Sequence, residues 1–282
     1  NRFYDDHQDG QKEIVYSSRK YQQRLLKLAQ KIATEFNFAD VIAFQEVENR
    51  TVLLQLSRLI KQTYDQHYNV VLQEGNDVSG IDVGFLIHSK LPIKAVQSLF
   101  KNKLSQNKGG KLFSRPPLLV KVCPSHCITF VNVHLRSMRG LNTNQRQQRI
   151  MLKRQSQAET LARWIQQFQS RNPQESLVIL GDFNALTPSD AYVDVIGTII
   201  GKPDQTRPQL KSRDLVSRDL IDLSLRVPAA LRYSYRYRGK NQLLDYALVS
   251  DNLADKVSDV SFSQINYAFS DHAALKLNLT IP

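Results

Sequence analysis

Residues 177–184 constrain the fold of this chain more than any other stretch of its sequence. Four apolar residues, 177–180, are followed by Gly181, Asp182 and, after one phenylalanine, Asn184. Such an apolar run is typical of a buried strand, and polar groups at the end of a rigid strand are well placed for chemistry. The alternative is an ordinary strand-to-loop turn, in which Asp182 and Asn184 hydrogen-bond to nearby backbone.

Other apolar runs lead to polar residues in the same manner. The polar residues at strand ends are Glu46, His134, Asp182, Asn184 and Asp245, together with Asp271 and His272 at the start of the last strand. Carboxylate and amide oxygens are the ligands that Mg²⁺, Mn²⁺ and Ca²⁺ prefer, whereas sets rich in thiolate or imidazole suit zinc and copper. The collection therefore predicts a site for a hard divalent cation, with Mg²⁺ expected first and Mn²⁺ or Ca²⁺ as alternatives.

Hydrophobic periodicity predicts alternating helices and strands. The predicted helices are 17–36, 50–64, 143–169 and 188–199, and the predicted strands are 69–73, 81–88, 93–99, 118–122, 128–133, 233–237 and 273–281, besides those that end at Glu46 and Asp182 or carry Asp245. We expect a mobile loop at 101–117 and irregular structure at 201–218. Strands mixed with helices indicate an α/β chain. No apolar run is long enough to span a bilayer, so no membrane insertion is expected.

The charge of the chain favours a polyanionic partner. There are 38 Lys and Arg against 26 Asp and Glu, a formal net charge of +12. The segments 91–121 and 135–158 contain seven and six cations respectively and no acid. Such fields attract polyanions through a salt-dependent electrostatic interaction, so we expect nucleic acid as the partner. The alternative is a solvated basic surface without a partner.

Cys123 and Cys127 lie between two strand-like runs, 118–122 and 128–133. This hairpin spacing favours a disulfide, and disulfides persist mainly in oxidising compartments, so we expect a secreted or periplasmic protein. The alternatives are free thiols and a metal site with His126 as third ligand. A single Cys-x3-Cys without a second half is only a weak zinc signal.

Five motifs resemble those of the endonuclease/exonuclease/phosphatase superfamily, which includes deoxyribonuclease I, exonuclease III, bacterial sphingomyelinases and inositol polyphosphate 5-phosphatases. They are QEVEN at 45–49, NVHLRS at 132–137, GDFN at 181–184, LDY at 244–246 and SDH at 270–272. Their order also matches that of the family. The stretch from the first motif to His134 is most similar to secreted bacterial nucleases.

The resemblance implies an α/β (α+β) fold like that of deoxyribonuclease I, a four-layer sandwich of two mostly antiparallel β-sheets flanked by helices. Residues 1–282 would form one domain. The family normally begins with a strand whose Asn faces the metal, and this strand belongs just upstream of Asn1. We therefore expect omission or processing of a first strand, because loss of a central strand would leave buried backbone groups unpaired.

The resemblance and the needs of phosphodiester hydrolysis assign roles to the acidic motifs. Glu46 would bind the metal ion, and Asp271 would complete the shell of the metal or of the water. Asp182 would orient or deprotonate the attacking water, and Asn184 would hold a phosphate oxygen without repelling it. Each has a structural alternative, such as an exposed strand-end acid at Glu46.

The imidazoles and cations receive roles by the same reasoning. His272 would act as general acid or base, or as a cation that stabilises phosphate, with Asp245 fixing its tautomer. His134 would make a second contact with phosphate. We expect Arg136 and Arg139 to bind substrate phosphates, with simple solvation as the alternative. Asp82, which precedes an apolar strand, is expected to support His134.

These expectations point to a monomeric, metal-dependent nuclease that hydrolyses phosphodiester bonds, with DNA favoured, by direct attack of water. The first alternative is a phosphomonoesterase or phospholipid phosphodiesterase with the same site. A lipid-cleaving enzyme needs an exposed apolar hairpin, for which Phe100 to Phe113 is the nearest candidate. The second alternative is a nucleic-acid-binding protein without activity.

Overall fold

The structure is a computed structural model that describes residues 16–106, 110–187, 191–207, 210 and 212–280. In this part of the chain the helices are α1 (Ser18–Thr34), α2 (Arg50–Tyr64), α3 (Asn144–Arg171), α4 (Val195–Ile200) and α5 (Asp251–Ala254). The strands are β1 (Val41–Val47), β2 (Tyr68–Leu72), β3 (Asp82–His88), β4 (Ile93–Ser98), β5 (Leu118–Val122), β6 (Ile128–His134), β7 (Ser176–Asp182), β8 (Ile221–Asp222), β9 (Tyr235–Tyr237), β10 (Lys240–Gln242), β11 (Asp245–Val249), β12 (Val257–Phe262) and β13 (Leu275–Leu279). Short 3-10 helices at Leu223–Arg226 and Ala229–Leu231 follow β8.

The strands form two main sheets. One has six strands in the order β4-β5-β6-β7-β11-β8, and the other has three in the order β1-β3-β2. Neighbouring strands are antiparallel except β6 and β7, which are parallel. Two further antiparallel pairs are β9 with β10 and β12 with β13. The prediction of mostly antiparallel sheets is confirmed.

Three apolar clusters show how the layers stack. Phe85 of β3 and Phe130 of β6 lie in the cluster between the two sheets. Leu161 of α3 packs on the outer face of the six-stranded sheet. Leu25 of α1 and Leu56 of α2 pack on the outer face of the three-stranded sheet. Helices therefore cover both outer faces, and the predicted four-layer sandwich is confirmed.

The start of α2 shows how local sequence fixes the strand that precedes it. The Asn49 side chain accepts a hydrogen bond from the backbone N–H of Val52 at 3.2 Å, a cap that contributes about 1 kcal/mol to helix stability. Val52, Leu56 and Ile60, spaced by one turn, are buried. The capped and packed helix holds the end of β1, which carries Glu46.

Several elements differ from the sequence-based prediction. The helix expected over 188–199 begins only at Val195, because the Asp194 side chain caps it through the N–H of Gly197 at 2.9 Å; residues 188–190 lie outside the described residues. β12, which was not predicted, is half-exposed and contains polar residues at positions where a buried strand has apolar ones. The described part of 101–117 is a loop, as predicted, and Leu112 and Phe113 anchor it in the core.

The cysteines form a disulfide between Cys123 and Cys127. It closes the turn between β5 and β6. Of the three alternatives for these residues, the disulfide is confirmed.

Within the described residues, no helix has both the length and the apolar character needed to cross a bilayer.

A cavity of about 980 Å³ lies between β1 and β13. Val41 and Ala43 line it from β1, and Leu275 and Leu277 line it from β13. Within the described residues, β1 pairs only with β3 and β13 pairs only with β12, so one edge of each strand faces this cavity.

Candidate active site

Three adjacent strands of the six-stranded sheet bring polar side chains together. In the register of these strands His134 on β6 lies opposite Asp182 on β7, and Asp182 lies opposite Asp245 on β11. All three side chains are buried. The sheet therefore places in one row three groups that are widely separated in sequence.

Asp182 is held by its own turn. The backbone N–H of Asn184 donates to Asp182 Oδ1 at 2.7 Å, and Asn184 Nδ2 donates to Asp182 Oδ2 at 2.9 Å. Burial raises the pKa of Asp182, and the negative charge of Asp245 raises it further. A carboxylate whose pKa is raised toward neutrality is a stronger base at working pH than an ordinary aspartate.

The Asn184 side chain bonds to protein groups on both sides of the site. Its second amide hydrogen is directed to the carbonyl of Leu135 at 3.2 Å, so both amide hydrogens are already used. The contact with a phosphate oxygen stays a prediction. Asn184 also positions Asp182, and its backbone lies in the left-handed region with φ of 50°.

His272 and Asp245 form the predicted pair. His272 Nδ1 lies 2.6 Å from Asp245 Oδ2. Burial lowers the pKa of His272, but the Asp245 carboxylate, together with the charges of Asp182 and Asp271, outweighs this and the pKa rises to about 9. Ser234 Oγ holds the backbone of Asp245 in place by accepting a hydrogen bond from the Asp245 backbone N–H at 3.0 Å. The imidazole is therefore a cation at neutral pH.

His134 has the opposite charge state. Its Nε2 lies 3.4 Å from Asp182 Oδ2. Burial lowers its pKa well below the ordinary value, and the positive charge of Arg115 lowers it further. His134 is therefore neutral beside Asp182. Its Nδ1 is buried and has no hydrogen-bond partner among the described residues.

Asp82 does not support His134, so this prediction is wrong. Asp82 begins β3 in the other sheet, where the Glu74 side chain and the backbone N–H of Gly75 hydrogen-bond to it. Burial raises its pKa to about 8, and Glu74 adds to the rise. The carboxyl is thus engaged with a second acid rather than with an imidazole.

Glu46 lies at an irregularity of β1. The register of β1 with β3 shifts between Phe44 and Val47, and Glu46 has φ of 57°, a conformation that a non-glycine residue adopts at a cost. The preceding residue, Gln45, donates from Nε2 to Asn132 Oδ1 at 2.7 Å. This bond ties the end of β1 to β6 of the facing sheet.

The described residues contain no group of three or more His, Cys, Asp or Glu side chains that could enclose a metal ion by themselves. A closed zinc-type site is therefore not formed in this part of the chain. Mg²⁺ needs less, since it retains several waters and is commonly held by one or two carboxylates together with substrate phosphate. Glu46, a hard oxygen donor near His272, fits such an ion, and Asp271 is an exposed second donor.

The two predicted phosphate-binding arginines differ. Arg136 is half-buried directly after β6, and the Arg115 and Arg154 charges surround it. Arg139 is exposed, and within the described residues no hydrogen bond or ion pair joins it to the site. The structure thus brings Arg136, but not Arg139, to the strand ends.

Sequence reasoning missed two arginines that hold the site together. Arg154 is fully buried in α3, and its NH1 donates to the carbonyls of Arg136 at 2.7 Å and Asn184 at 2.6 Å. Arg115 donates to the carbonyls of His134 at 3.3 Å and Leu135 at 3.1 Å. Arg154 thus joins the segment directly after β6 to α3, and Arg115 joins it to the loop before β5. A cation on the apolar stripe of a helix was the available signal for Arg154.

Asn132 was also missed as a structural residue. It is fully buried in β6, and its Nδ2 donates to the carbonyls of Phe44 at 2.9 Å and Gly84 at 3.0 Å. It accepts from Gln45 at the same time. One side chain thus fastens the two sheets at the end where the site lies.

A buried carboxylate beside a neutral imidazole, with a protonated imidazole on the neighbouring pair, can move a proton from water and stabilise a negative charge. On a two-sheet sandwich this arrangement defines the class of phosphoester hydrolases with a deoxyribonuclease I-like fold. The chain belongs to the Endonuclease/Exonuclease/phosphatase family, whose model matches residues 2–274. The resemblance inferred from the motifs is confirmed.

Solved structures support the same fold. TDP2 from Caenorhabditis elegans in truncated form is 16% identical with a TM-score of 0.60, and the match covers 92% of this chain and 91% of that chain. TDP2 from D. rerio, solved with a single-strand DNA product, is 14% identical with a TM-score of 0.56 and 91% of both chains covered.

A third similar structure is the mannosyl-6-phosphatase of Bacteroides thetaiotaomicron, which is 16% identical with a TM-score of 0.57 and coverage of 92% and 91%. No curated protein sequence matches the chain. At these identities the structural likeness shows the fold alone. The activity shown by family membership is phosphoester hydrolysis.

Proposed function

We propose that the protein is a divalent-metal-dependent nuclease that hydrolyses phosphodiester bonds of nucleic acid, with DNA favoured, by direct attack of water. The observation that carries the proposal is the His272–Asp245 pair, joined at 2.6 Å, next to the buried Asp182 carboxylate that lies opposite Asp245 in the sheet. Hydrolysis needs a base for water and a cation for the developing charge, and these groups supply both.

Asp182 is the base in this proposal. Asn184 fixes its two oxygens, and the strand register holds it between His134 and Asp245. Because its carboxylate cannot turn, a water hydrogen-bonded to it has a defined direction of attack. The raised pKa brings its basicity nearer to neutral pH.

His272 is the cation. Below its pKa of about 9 the imidazolium stabilises negative charge on the phosphate and can protonate a leaving oxygen. Neutral His134 contributes a hydrogen bond rather than a charge. A divalent ion bound through Glu46, with Asp271 as second carboxylate, would neutralise charge on the phosphate oxygens.

Charge supports nucleic acid as the substrate class. The net charge of +12 attracts a polyanion more strongly than a single phosphate group. TDP2 from D. rerio, which shares the fold, was solved with a single-strand DNA product. The fold neighbour from Bacteroides thetaiotaomicron is a mannosyl-6-phosphatase, which makes a phosphomonoesterase the second candidate.

A phospholipid substrate is less favoured by the structure. Phe113 is fully buried, and the ring of Phe100 stacks on it with centroids 5.4 Å apart. Phe113 is therefore not presented to a lipid surface and Phe100 is only partly exposed, whereas Leu104 between them is exposed. We also propose that the protein is secreted or periplasmic, which the Cys123–Cys127 disulfide supports because such bonds persist in oxidising compartments.

Hydrolysis rates on three substrate classes test the proposal. We expect single-stranded and duplex DNA to be cleaved with Mg²⁺ and not with EDTA, while p-nitrophenyl phosphate and a sphingomyelin vesicle are hydrolysed far more slowly. Rapid hydrolysis of the phosphomonoester together with intact DNA would contradict the proposal and favour the second candidate. RNA in the same assay decides the preferred sugar.

A further inference from the structure

Four cations lie together beside the end of β6. We call Arg115, Arg136, Arg149 and Lys153 the cationic cluster. They come from three separate segments, namely the loop before β5, the chain directly after β6 and the first half of α3. The fold therefore assembles the cluster, and its members are not merely neighbours in sequence.

Two of these cations lie next to the active site, Arg115 through hydrogen bonds and Arg136 through its position in the chain. Arg115 donates to the backbone carbonyls of His134 and Leu135. Arg136 directly follows Leu135 in the chain. The backbone N–H of Arg136 in turn donates to Gln157 Oε1 on α3 at 2.9 Å. The guanidinium of Arg115 is thus fixed to the strand end that carries His134, while the backbone of Arg136 is fixed to α3 and its guanidinium donates to Ser137 Oγ at 3.3 Å.

The other two cations share a helix face. Arg149, Lys153 and Gln157 are spaced four residues apart on α3, so they lie along one side of the helix. Gln157 bonds to Arg136, and Lys153 Nζ donates to the carbonyl of Lys111 at 3.1 Å. This side of α3 therefore faces the loop and the strand end that carry the other two cations.

Little negative charge balances the cluster. Asp77 pairs with Arg115 at 2.7 Å, and among the described residues no other carboxylate forms an ion pair with a member of the cluster. Burial lowers the pKa of Arg136 and Lys153, and the neighbouring cations lower both further. The excess of positive charge is an unfavourable arrangement that an anion would relieve.

We propose that the cationic cluster binds a second phosphate of the substrate, the phosphodiester next to the one that is hydrolysed, on the His134 side of the site. The inference rests on the proposed function and extends it. Guanidinium groups match phosphate oxygens with paired donors, and the ammonium of Lys153 adds a point charge. Arg115 and Arg136 connect the cluster directly to His134, so a continuous phosphate backbone can pass from one to the other.

The proposal makes the number of phosphates a determinant of rate. A substrate with one phosphate would use the active site alone, whereas an oligonucleotide would also engage the cluster. The protein would thus prefer a nucleic-acid chain to a phosphomonoester because of a neighbouring group, and not only because of its net charge.

Kinetics on two short substrates test this inference. The full chain is assayed with a thymidine dinucleotide, which has one phosphodiester, and a trinucleotide, which has two. The variant combines Arg149→Gln with Lys153→Gln. The control combines Arg163→Gln with Arg171→Gln, which removes the same charge from the same helix outside the cluster.

We expect the wild type to cleave the trinucleotide with a kcat/KM per bond about 10-fold or more above that of the dinucleotide. The ratio should fall toward one in the cluster variant and be unchanged in the control. On long single-stranded DNA, the salt slope of binding should fall by about 2 in the cluster variant, about one for each contact.

A cluster variant that keeps the wild-type ratio and salt slope would overturn the inference while leaving the proposed function intact. An equal loss in the control would also overturn it, because net charge would then explain the effect. If the wild type cleaves neither oligonucleotide but hydrolyses p-nitrophenyl phosphate, the proposed function fails, and the inference fails with it.

Discussion

Asp182→Asn is expected to remove most of the hydrolytic activity while the protein stays folded. The amide cannot take a proton from water, and general base catalysis contributes about 10²- to 10⁴-fold to rate. The amide nitrogen would also meet an N–H donor of Asn184, whose backbone and side-chain N–H groups now point to the carboxylate. We expect kcat/KM on DNA to fall by about 10³-fold or more.

The stability of Asp182→Asn should rise although its activity falls. The pKa of Asp182 is raised in the folded protein by burial and by Asp245, so its ionisation destabilises the fold as pH rises through that pKa. The asparagine lacks this penalty. Its free energy of unfolding should therefore exceed that of the wild type above the raised pKa, with a smaller difference near pH 4.

Asp222→Asn is the matched control. Asp222 is also a buried carboxylate of the six-stranded sheet, and burial raises its pKa too. It lies opposite Leu248 of β11, three residues along this strand from Asp245. Its activity should stay within about twofold of the wild type. Unchanged DNA cleavage by folded Asp182→Asn would show that the base is a different residue.

Asp245→Asn is expected to change the pH profile of the reaction. In the wild type, activity needs ionised Asp182 and protonated His272, so kcat/KM should rise through the raised pKa of Asp182 and fall above about pH 9. Without the Asp245 carboxylate, burial lowers the pKa of His272 and only Asp182 and Asp271 oppose it, so this pKa should fall. The alkaline fall should then begin at a lower pH than in the wild type, with a loss of about 10²-fold at pH 8.5 and a smaller loss at pH 6.

Two measurements check this result independently. A pH series of kcat/KM gives the alkaline limb, and an NMR titration of the His272 ring gives its pKa directly. Asp259→Asn on the exposed face of β12 is the control for a lost carboxylate. An alkaline limb that does not move in Asp245→Asn, although the NMR pKa falls, would remove His272 from the catalytic step.

Sequence alone predicted the parts of the site that depend on local pattern. The apolar run before Asp182 is visible in the sequence as a continuous hydrophobic stretch. Acids and imidazoles stand at the ends of other such stretches. The pairing of Asp245 with His272 followed from the resemblance, and the 2.6 Å contact agrees with it. The four-layer sandwich also followed from the resemblance, since the pattern of strands and helices by itself indicated only an α/β chain.

The residues that sequence missed act through distant backbone. Arg154 hydrogen-bonds to the carbonyls of Arg136 and Asn184, and neither contact has a pattern in the chain. Asn132 reaches Phe44 across the gap between the sheets. A carbonyl acceptor carries no side-chain signature, so these partners are known only when the fold is known.

Backbone strain explains a second part of the difference between the sequence-based prediction and the structure. Glu46 has a positive φ angle of 57°, which propensity does not predict for glutamate, whereas the φ of 50° at Asn184 is one that asparagine adopts more readily. Such conformations cost of order 1–3 kcal/mol and persist where the surroundings hold them. The capped start of α2 fixes Glu46, and the bonds to Asp182 and Leu135 hold Asn184.

Nicking of supercoiled plasmid DNA is the most direct test of the central claim. The full chain, Asp182→Asn and Asp222→Asn would be incubated with plasmid at low salt in Mg²⁺, Mn²⁺ or EDTA. The account predicts nicking by the wild type and Asp222→Asn that depends on the metal ion and is lost in Asp182→Asn. Plasmid that stays intact with every ion, while the same preparation hydrolyses a phosphomonoester, would contradict it.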